Sequence, residues 1–292
     1  MRLGTPFPRR CCCLLVAWLG SWGLALPMTA RGAEVPGVTI REDIVYGHKD
    51  GLAMTYDVFS PRDGGNGRGL VFMVSGGWVS IWAPPEQAVM LFRPFLDAGY
   101  TVIPVRHGSS PKYLIPEIVS DVRTAFRHIS ENAAEYSVDA SKLGVFGFSA
   151  GGHLSLMLGT TTNDRAGASS PSRLPRVAAV AAVFPPTDLA PYVDPQNPLR
   201  EQFPALKFDP AKADEFSPLR HVTADDAPTL LVHGDRDELV PLWHSEKIRD
   251  AFAAENVPHQ LIVIEGAGHG FNAEGMRRMF ENMVSWFNEH LQ

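Results

Sequence analysis

The alternation of apolar and polar residues changes along the chain. The early segments GVTIREDIVYG (37–47) and LAMTYDVFS (52–60) alternate apolar and polar positions, which is typical of half-exposed antiparallel strands. Six later segments are nearly continuous apolar runs, as expected for strands buried on both faces of a sheet. They are GLVFMVSGG, GYTVIPVRH, SKLGVFGFS, RVAAVAAVFPP, APTLLVHGD and PHQLIVIEGAG, which begin at residues 69, 99, 141, 176, 227 and 258.

Helical patterns lie between the buried runs. Apolar residues recur at three- and four-residue spacing in two segments, which predicts amphipathic helices. These positions are Ile115, Ile118, Val119, Val122, Phe126 and Ile129, and then Met276, Met279, Phe280, Met283 and Phe287. The alternation of strands and helices predicts an α/β fold with a mostly parallel central sheet, antiparallel N-terminal strands and helices on both faces. Ligands of such sheets bind beyond the carboxyl ends of the strands.

The N-terminal segment does not follow this pattern. Arg2, Arg9 and Arg10 precede an apolar run over residues 11–26, and small residues follow it. This arrangement predicts a secretory signal peptide over residues 1–33, with cleavage after Ala33 or, as the alternative, after Ala30. The apolar run is shorter than the roughly 20 residues that span a bilayer, so we expect no membrane span in the mature chain.

The composition of residues 34–292, the predicted catalytic domain, restricts its partners and its chemistry. All three cysteines lie in the predicted signal peptide, so the mature chain has no disulfide and no thiolate ligand. Loss of the four arginines of residues 1–33 takes the formal charge from −6 to −10. This acidic balance argues against nucleic acid as a partner. We expect a secreted or periplasmic protein whose partner is an ester substrate.

One connection is much longer than the others. Residues 186–227 are rich in proline and charge and contain no long apolar run. Long connections in compact domains are often lids or binding loops. Two interpretations stay open, a small cap over the active site and a long surface loop with short helices that makes no substrate contact.

The stretch GVFGFSAGGHLSLMLG (144–159) contains a candidate nucleophile. Ser149 lies between Gly147 and Gly151, after a strand-like run and before a helix-like run. This spacing is typical of the sharp strand-to-helix turn that exposes a nucleophilic serine. The same spacing also arises by chance, and Ser149 would then be a small residue in a tight turn.

A nucleophilic serine needs a base to take its proton. His269 follows the last apolar run on a glycine-rich loop, IEGAGHGF, where its side chain can reach across the strand ends. We therefore predict His269 as the base. His107, His153 and His233 are the less favoured candidates, with His153 and His233 interpreted either as packing residues or as residues that support the site from behind.

A carboxylate must orient the base, and the stretch LLVHGDRDELVP offers two. Asp235 and Asp237 both lie between the serine and the histidine in the chain, as the nucleophile, acid and histidine order requires. The pattern Asp-x-x-Val-Pro favours Asp237 as the acid. Asp235 then either caps the turn or supports the site from behind the residues that react.

The negative charge that develops on an ester carbonyl needs backbone amides for its stabilisation. Ala150 follows the nucleophile and is predicted to supply one amide. Gly76 and Gly77, in the loop after the first buried run, are predicted to supply the others, since glycine lets a backbone approach a substrate closely.

These motifs together resemble the α/β-hydrolase superfamily from about residue 38 to residue 292. GFSAGGHLSLMLG, SPLRHVTADDAPTLLVHGDRDELVP and GAGHGF are similar to exported esterases related to acetylxylan and feruloyl esterases, and to the catalytic domain of prolyl oligopeptidases. The resemblance implies the α/β-hydrolase fold and a secreted serine esterase without a cofactor. It also implies short-acyl substrates such as acetylated or feruloylated carbohydrate.

The oxyanion loop departs from the family pattern. Related lipases and esterases carry His-Gly-Gly-Gly, whereas residues 74–78 read Val-Ser-Gly-Gly-Trp. Alignment of Trp78 with the tryptophan that follows this motif makes Gly76 and Gly77 the donors. Alignment of Ser75 with the histidine shifts the frame by one residue and brings in the amide of Trp78, so Gly77 is the donor that both frames share.

The segment RHGSSPKYLIPEIVSDV is similar to the Tyr-Arg-Leu-Ala-Pro motif of the same family. We interpret Arg106 and Asp121 as a structural pair rather than a substrate clamp. Trp78, Trp82 and Trp243 are candidate aromatic contacts for a sugar ring or an aryl group.

Three other functions stay open at this point, a prolyl oligopeptidase-like peptidase, a lipase and a catalytically dead binding protein. The peptidase would need a propeller domain before the catalytic domain, and too few residues precede Ser149 for one. No metal site is predicted, because the sequence has no His-Glu-x-x-His motif and no calcium-loop spacing.

Overall fold

The computed structural model describes residues 35–161 and 175–292. The predicted signal peptide lies outside the described residues. All eight predicted strands form. They are β1 (Val38–Lys49), β2 (Leu52–Pro61), β3 (Gly69–Met73), β4 (Thr101–Val105), β5 (Leu143–Phe148), β6 (Ala179–Val183), β7 (Thr229–Gly234) and β8 (His259–Ile264).

The strands form one sheet in the order β1-β2-β4-β3-β5-β6-β7-β8. The pairs β1–β2 and β2–β4 are antiparallel, and all other neighbours are parallel. This is the mostly parallel sheet with antiparallel N-terminal strands that the sequence predicted. The last apolar run, however, is not buried on both faces: it forms the edge strand β8, in which only Ile262 and Ile264 are buried. Because β5, β7 and β8 run in the same direction, the turns that follow them lie at one edge of the sheet.

Helices cover both faces of the sheet. They are α1 (Pro85–Asp97), α2 (Ile115–Glu131), α3 (Ala150–Thr161), α4 (Ala190–Val193), α5 (Leu199–Gln202), α6 (Trp243–Ala254) and α7 (Ala273–His290). Apolar side chains of α2, α3 and α6 pack into one buried cluster, and those of α1 and α7 pack into another. Along β3, Val71 and Met73 belong to the first cluster while Leu70 and Phe72 belong to the second. Burial on both faces explains why this strand is a continuous apolar run.

The two helices predicted from apolar spacing are α2 and α7. All six apolar positions predicted for α2 are at most 1% exposed. In α7, Met279, Met283 and Phe287 are fully buried, while Met276 and Phe280 pack against them from the edge of the cluster. Helices α1 and α6 were not predicted from spacing.

Residues 186–227 connect β6 to β7 by short helical turns. Besides α4 and α5, the connection contains four 3-10 turns between residues 204 and 220. Leu189, Val193, Leu206 and Phe216 are at most 6% exposed, so this connection is anchored by its own apolar side chains. It is packed against the cluster that contains α2 and α3.

The predicted pair of Arg106 and Asp121 is wrong. Arg106 donates to both carboxylate oxygens of Asp57 and, at 2.8 Å, to Asp43. Asp121 instead accepts from Lys49 at 2.9 Å and from the amide of Gly108 at 2.9 Å. Arg106 therefore contacts both antiparallel strands, β1 and β2, and Asp121 contacts β1, but the two residues form no ion pair with each other.

Candidate active site

Ser149 lies in a strained turn between β5 and α3. Its φ is 53°, in the left-handed region that is uncommon for a residue other than glycine. The turn is tight, since a Cβ on Gly147 would lie 2.4 Å from the carbonyl of Gly151. The amide of Ser149 donates to the carbonyl of Val183 at 2.9 Å, which fixes the turn to β6. This geometry exposes the hydroxyl beyond the carboxyl end of β5.

His269 lies on the loop that follows β8. Gly266 has a φ of 73° in this loop, and its amide donates to the Asp235 carboxylate at 2.6 Å. Through this hydrogen bond the exposed Asp235 caps the turn, which is one of the two roles that the sequence left open. The imidazole of His269 packs on the ring of Phe184, with 4.5 Å between the ring centroids.

Asp237 is the carboxylate that contacts His269. One of its oxygens, Oδ2, lies 2.7 Å from Nδ1 of His269. The other, Oδ1, accepts from the amides of Leu239 and Val240 at 3.0 and 2.9 Å. The side chain of Asp237 is fully buried, while that of His269 is 20% exposed. The carboxylate is thus held in one orientation by the turn that carries it.

The charge of Asp237 fixes the hydrogens on His269. Burial raises the pKa of this carboxyl, but the hydrogen bonds from His233, His269 and the amide of Val240 outweigh burial and hold the pKa below its usual range. An ionised carboxylate only accepts, so Nδ1 of His269 donates to it. Nε2 is then free to accept from the Ser149 hydroxyl, which lies 2.9 Å away. This is an arrangement in which an imidazole can take the serine proton.

The structure does not bring the other candidate histidines to Ser149. His233 is fully buried, donates from Nε2 to the carbonyl of Val240 at 2.7 Å, and lies 3.4 Å from Asp237. His153 donates from Nε2 to the carbonyl of Phe216 at 2.8 Å. His107 is also buried and donates from Nδ1 to the carbonyl of Gly108 at 2.8 Å.

The predicted oxyanion donors need one correction. The amide of Gly76 donates to the carbonyl of Val79 at 3.0 Å, so it is not available to a substrate. Within residues 35–161 and 175–292, the amides of Gly77, Trp78 and Ala150 have no acceptor. Gly77 and Trp78 both have positive φ, 56° and 60°. The structure therefore favours the alignment frame in which Gly77 and Trp78 are donors, and Gly76 is no longer a candidate donor.

A small cavity opens beside Ser149. Apart from Ser149 and Tyr192, its wall is formed by backbone and apolar side chains, which are those of Gly77, Trp78, Pro186, Leu199, Phe203, Leu206, Leu239 and Val240. About 30 Å³ is open to the centre of a water-sized sphere, which is room for about two water molecules. Five of these residues belong to the long connection 186–227. This connection therefore reaches the site, which the sequence left open.

The three candidate tryptophans have different surroundings. Trp78 is 5% exposed and donates from Nε1 to Nδ1 of His153 at 3.3 Å, so it serves packing as well as lining the cavity. Trp243 stacks on His244 with 3.6 Å between centroids. Trp82 is 56% exposed.

Tyr192, Phe203 and His244 were not predicted from the sequence. Tyr192 and Phe203 line the cavity, and His244 contacts the hydroxyl of Tyr192. Two of the three lie in the long connection, which has no repeating pattern, so no local signal identifies them.

Among the described residues, no cluster of three or more potential metal ligands occurs. No described helix is both long and apolar enough to cross a bilayer.

The sequence of this chain matches a known protein family. The BD-FAE family model matches residues 56–252, which is more than half of the chain. The chain belongs to the BD-FAE family. The matched residues of this BD-FAE protein include Ser149 and Asp237, whereas His269 lies beyond the match.

Its relatives include named ester hydrolases. Esterase LipC of Mycobacterium tuberculosis is 27% identical over 250 residues, which cover 80% of this chain but only 60% of LipC. Ethyl acetate hydrolase of Pseudomonas putida is 28% identical over 229 residues, covering 72% of this chain and 67% of the hydrolase. A solved structure of a truncated carbohydrate esterase from gut microbiota is 26% identical with a TM-score of 0.74, covering 89% of this chain and 99% of the other. The predicted α/β-hydrolase fold is confirmed.

Proposed function

We propose that this BD-FAE protein is a serine esterase that hydrolyses short-acyl carboxylic esters. The hydrogen-bonded series Asp237, His269 and Ser149, with distances of 2.7 and 2.9 Å, carries the proposal. Its position beside unengaged backbone amides supports acyl transfer rather than proton transfer alone. The esterases among the relatives support the same class of reaction.

In the first half of the reaction, Ser149 Oγ attacks the ester carbonyl while Nε2 of His269 takes its proton. The amides of Gly77 and Ala150, together with that of Trp78, stabilise the oxyanion. Collapse of the tetrahedral intermediate breaks the bond to the alcohol, which leaves with the proton from His269. In the second half, water attacks the acyl-enzyme by the same route and releases the carboxylic acid. Asp237 holds the imidazolium in both halves.

The size of the cavity supports a short acyl or alcohol group. The cavity is small, and the ring of Phe203 forms part of its wall beside Gly77, which favours short groups over long ones. The names of the gut carbohydrate esterase and of ethyl acetate hydrolase support acetylated carbohydrate and simple acetate esters as substrates.

The deciding experiment compares wild-type protein with Ser149→Ala and Ser155→Ala on p-nitrophenyl acetate, butyrate and octanoate, a feruloyl ester and acetylated xylan. Ser155 is the control because it lies in the same helix and donates only to the carbonyl of Gly151. We expect Ser149→Ala to lose activity and Ser155→Ala to keep it. Retained activity in Ser149→Ala contradicts the proposal, and faster turnover of octanoate than of acetate replaces the short-acyl assignment with a lipase.

Export is the second part of the proposal. It rests on the basic and then apolar pattern of residues 1–33. Expression of the full chain in a Gram-negative host, followed by mass spectrometry of the periplasmic protein, should give a mature N-terminus at Glu34 or at Arg31. A full-length protein that keeps Met1 and stays in the cytoplasm contradicts this part alone.

A further inference from the structure

The hydrogens on His244 are determined by its surroundings. Its Nδ1 accepts from the amide of Thr187 at 3.0 Å. The ring is fully buried, and burial, together with the nearby charges of His233 and Lys247, lowers its pKa to about 3. A neutral imidazole that accepts at one nitrogen carries its hydrogen on the other. His244 therefore donates from Nε2.

The acceptor for this hydrogen is the hydroxyl of Tyr192. Its oxygen lies 2.6 Å from Nε2 of His244. Because this oxygen accepts from His244, the phenolic hydrogen must point elsewhere. Within residues 35–161 and 175–292, this oxygen forms no other hydrogen bond. Burial and the charges of Asp237 and Asp188 raise the pKa of Tyr192 to about 12, so the hydrogen stays on the phenol at neutral pH.

Tyr192 and Ser149 line the same cavity. The cavity's other polar side-chain group, Nε1 of Trp78, is occupied by His153. The remaining side chains on the wall are apolar, such as those of Leu206 and Val240. The phenolic hydrogen of Tyr192 therefore has no acceptor among the described residues, and the cavity that Tyr192 lines is otherwise mostly apolar.

We propose that Tyr192 is a specificity-determining residue that donates a hydrogen bond to an acceptor oxygen, of the ether or hydroxyl class, on the substrate group held in the cavity. The inference rests on the proposed esterase function. A wholly apolar group would leave this donor without a partner, which costs free energy, whereas an oxygen at the same place satisfies it. The cavity would thus prefer oxygen-bearing groups such as those of carbohydrates over hydrocarbon groups of equal size.

The test uses pairs of esters in which one CH₂ is replaced by oxygen. In the acyl pair, p-nitrophenyl butyrate is compared with p-nitrophenyl methoxyacetate. In the alcohol pair, butyl acetate is compared with 2-methoxyethyl acetate. The two pairs distinguish whether the cavity holds the acyl or the alcohol group. The variant is Tyr192→Phe, and the control is Tyr100→Phe, whose hydroxyl donates to Asn288 and does not line the cavity.

The measured quantity is the kcat/KM ratio within each pair, divided by the same ratio in wild type, which cancels the intrinsic reactivity of the esters. We expect Tyr192→Phe to lower the preference for the oxygen-bearing ester about threefold to tenfold in one pair. Tyr100→Phe should leave both preferences unchanged. Unchanged preferences in Tyr192→Phe, or an equal loss on all four esters, overturn the inference. Neither unchanged preferences nor an equal loss on all four esters would contradict the esterase proposal, which fails only if Ser149→Ala stays active.

A second measurement examines the hydrogen-bond direction without relying on activity. In ¹⁵N-labelled full-length protein, NMR of the imidazole nitrogens reports which one carries hydrogen, and a His244→Gln variant assigns the signals. We expect Nε2 of His244 to be protonated and Nδ1 to be unprotonated at neutral pH. A hydrogen on Nδ1 would let Tyr192 donate to His244 instead, and the inference would fail.

Discussion

Asp235 and Asp237 lie in one turn, but their environments differ. Asp237 is buried and holds His269, whereas Asp235 is exposed and caps the loop that carries His269. We expect Asp237→Asn to lower kcat by about 10³- to 10⁴-fold, because an amide can donate to Nδ1 and stabilise the wrong tautomer. Asp235→Asn keeps an acceptor oxygen for the Gly266 amide and should stay within a few-fold of wild type. A larger loss in Asp235→Asn than in Asp237→Asn would contradict the assignment of Asp237 as the acid.

The residues at the centre of the site are easier to predict than those around it. Ser149 and Asp237 follow buried strands, and His269 follows the apolar run of the edge strand β8, so the local pattern places all three at one edge of the sheet before their distances are known. Their catalytic roles stay predictions until the variants are measured. Arg106 has no such local signal, because the identity of its carboxylate partner depends on how distant strands pair.

The oxyanion loop offers a matched pair of glycines. A Cβ on Gly77 would lie 2.9 Å from the ring of Phe203, and its φ of 56° disfavours any side chain. A Cβ on Gly76 would meet nothing within 4 Å. We expect Gly77→Ala to lower kcat/KM by roughly tenfold or more, since a shift of this amide weakens oxyanion stabilisation. Gly76→Ala should keep activity in the same ester assay, and an equal loss would restore Gly76 as a donor.

The long connection 186–227 is the element that sets the size of the cavity. Phe203 contacts both Gly77 and the ring of Trp78, whose centroid is 6.4 Å away. Phe203→Ala should enlarge the cavity and shift the preferred acyl chain from acetyl towards butyryl or longer, as read from kcat/KM across a series of p-nitrophenyl esters. Phe208→Ala is the control in the same connection.

Phe208 packs on Phe216 and does not line the cavity. Its truncation should cost roughly 3–5 kcal/mol of stability without a change in acyl preference. An unchanged chain-length profile in Phe203→Ala would show that this connection does not limit the acyl group.

Elements with a repeating pattern were predictable, and the connection was not. The strands and helices α2 and α7 follow periods that the sequence displays directly. The connection instead folds into turns of three or four residues, each held by contacts with other parts of the protein, such as the carbonyl of Phe216 with His153. Contacts of this kind leave no period in the sequence.

At the scale of the whole molecule, three of the four histidines that are buried in the described part of the chain make stability depend on pH. Burial lowers the pKa of His107 and His153 to about 4 and that of His244 to about 3, from 6.5. Below pH 6.5 these histidines therefore bind protons in the unfolded chain but stay neutral in the folded protein. Stability should fall as pH drops from 6.5 to about 4, by up to about 1.4 kcal/mol per pH unit for each histidine.

Urea unfolding between pH 7 and 5 measures this dependence. The carboxyl of Asp237 has a lowered pKa, so its own contribution is lost only at lower pH and does not enter this range. His107→Gln should reduce the fall in unfolding free energy per pH unit by the equivalent of about one proton, because glutamine does not titrate in this range. A free energy of unfolding that stays constant from pH 7 to 5 would contradict the neutral state of these rings.

The hydrogen bond between Ser149 and His269 joins residues that are 120 positions apart. At roughly 5–20 residues per second, a ribosome makes the histidine about 6 to 24 s after the serine. Until the last strand is added to the sheet, the serine is an ordinary alcohol with no base beside it. In the mechanism that we propose, a nascent chain that has not yet formed this hydrogen bond cannot hydrolyse an ester. The proposed activity therefore begins only once the fold is complete.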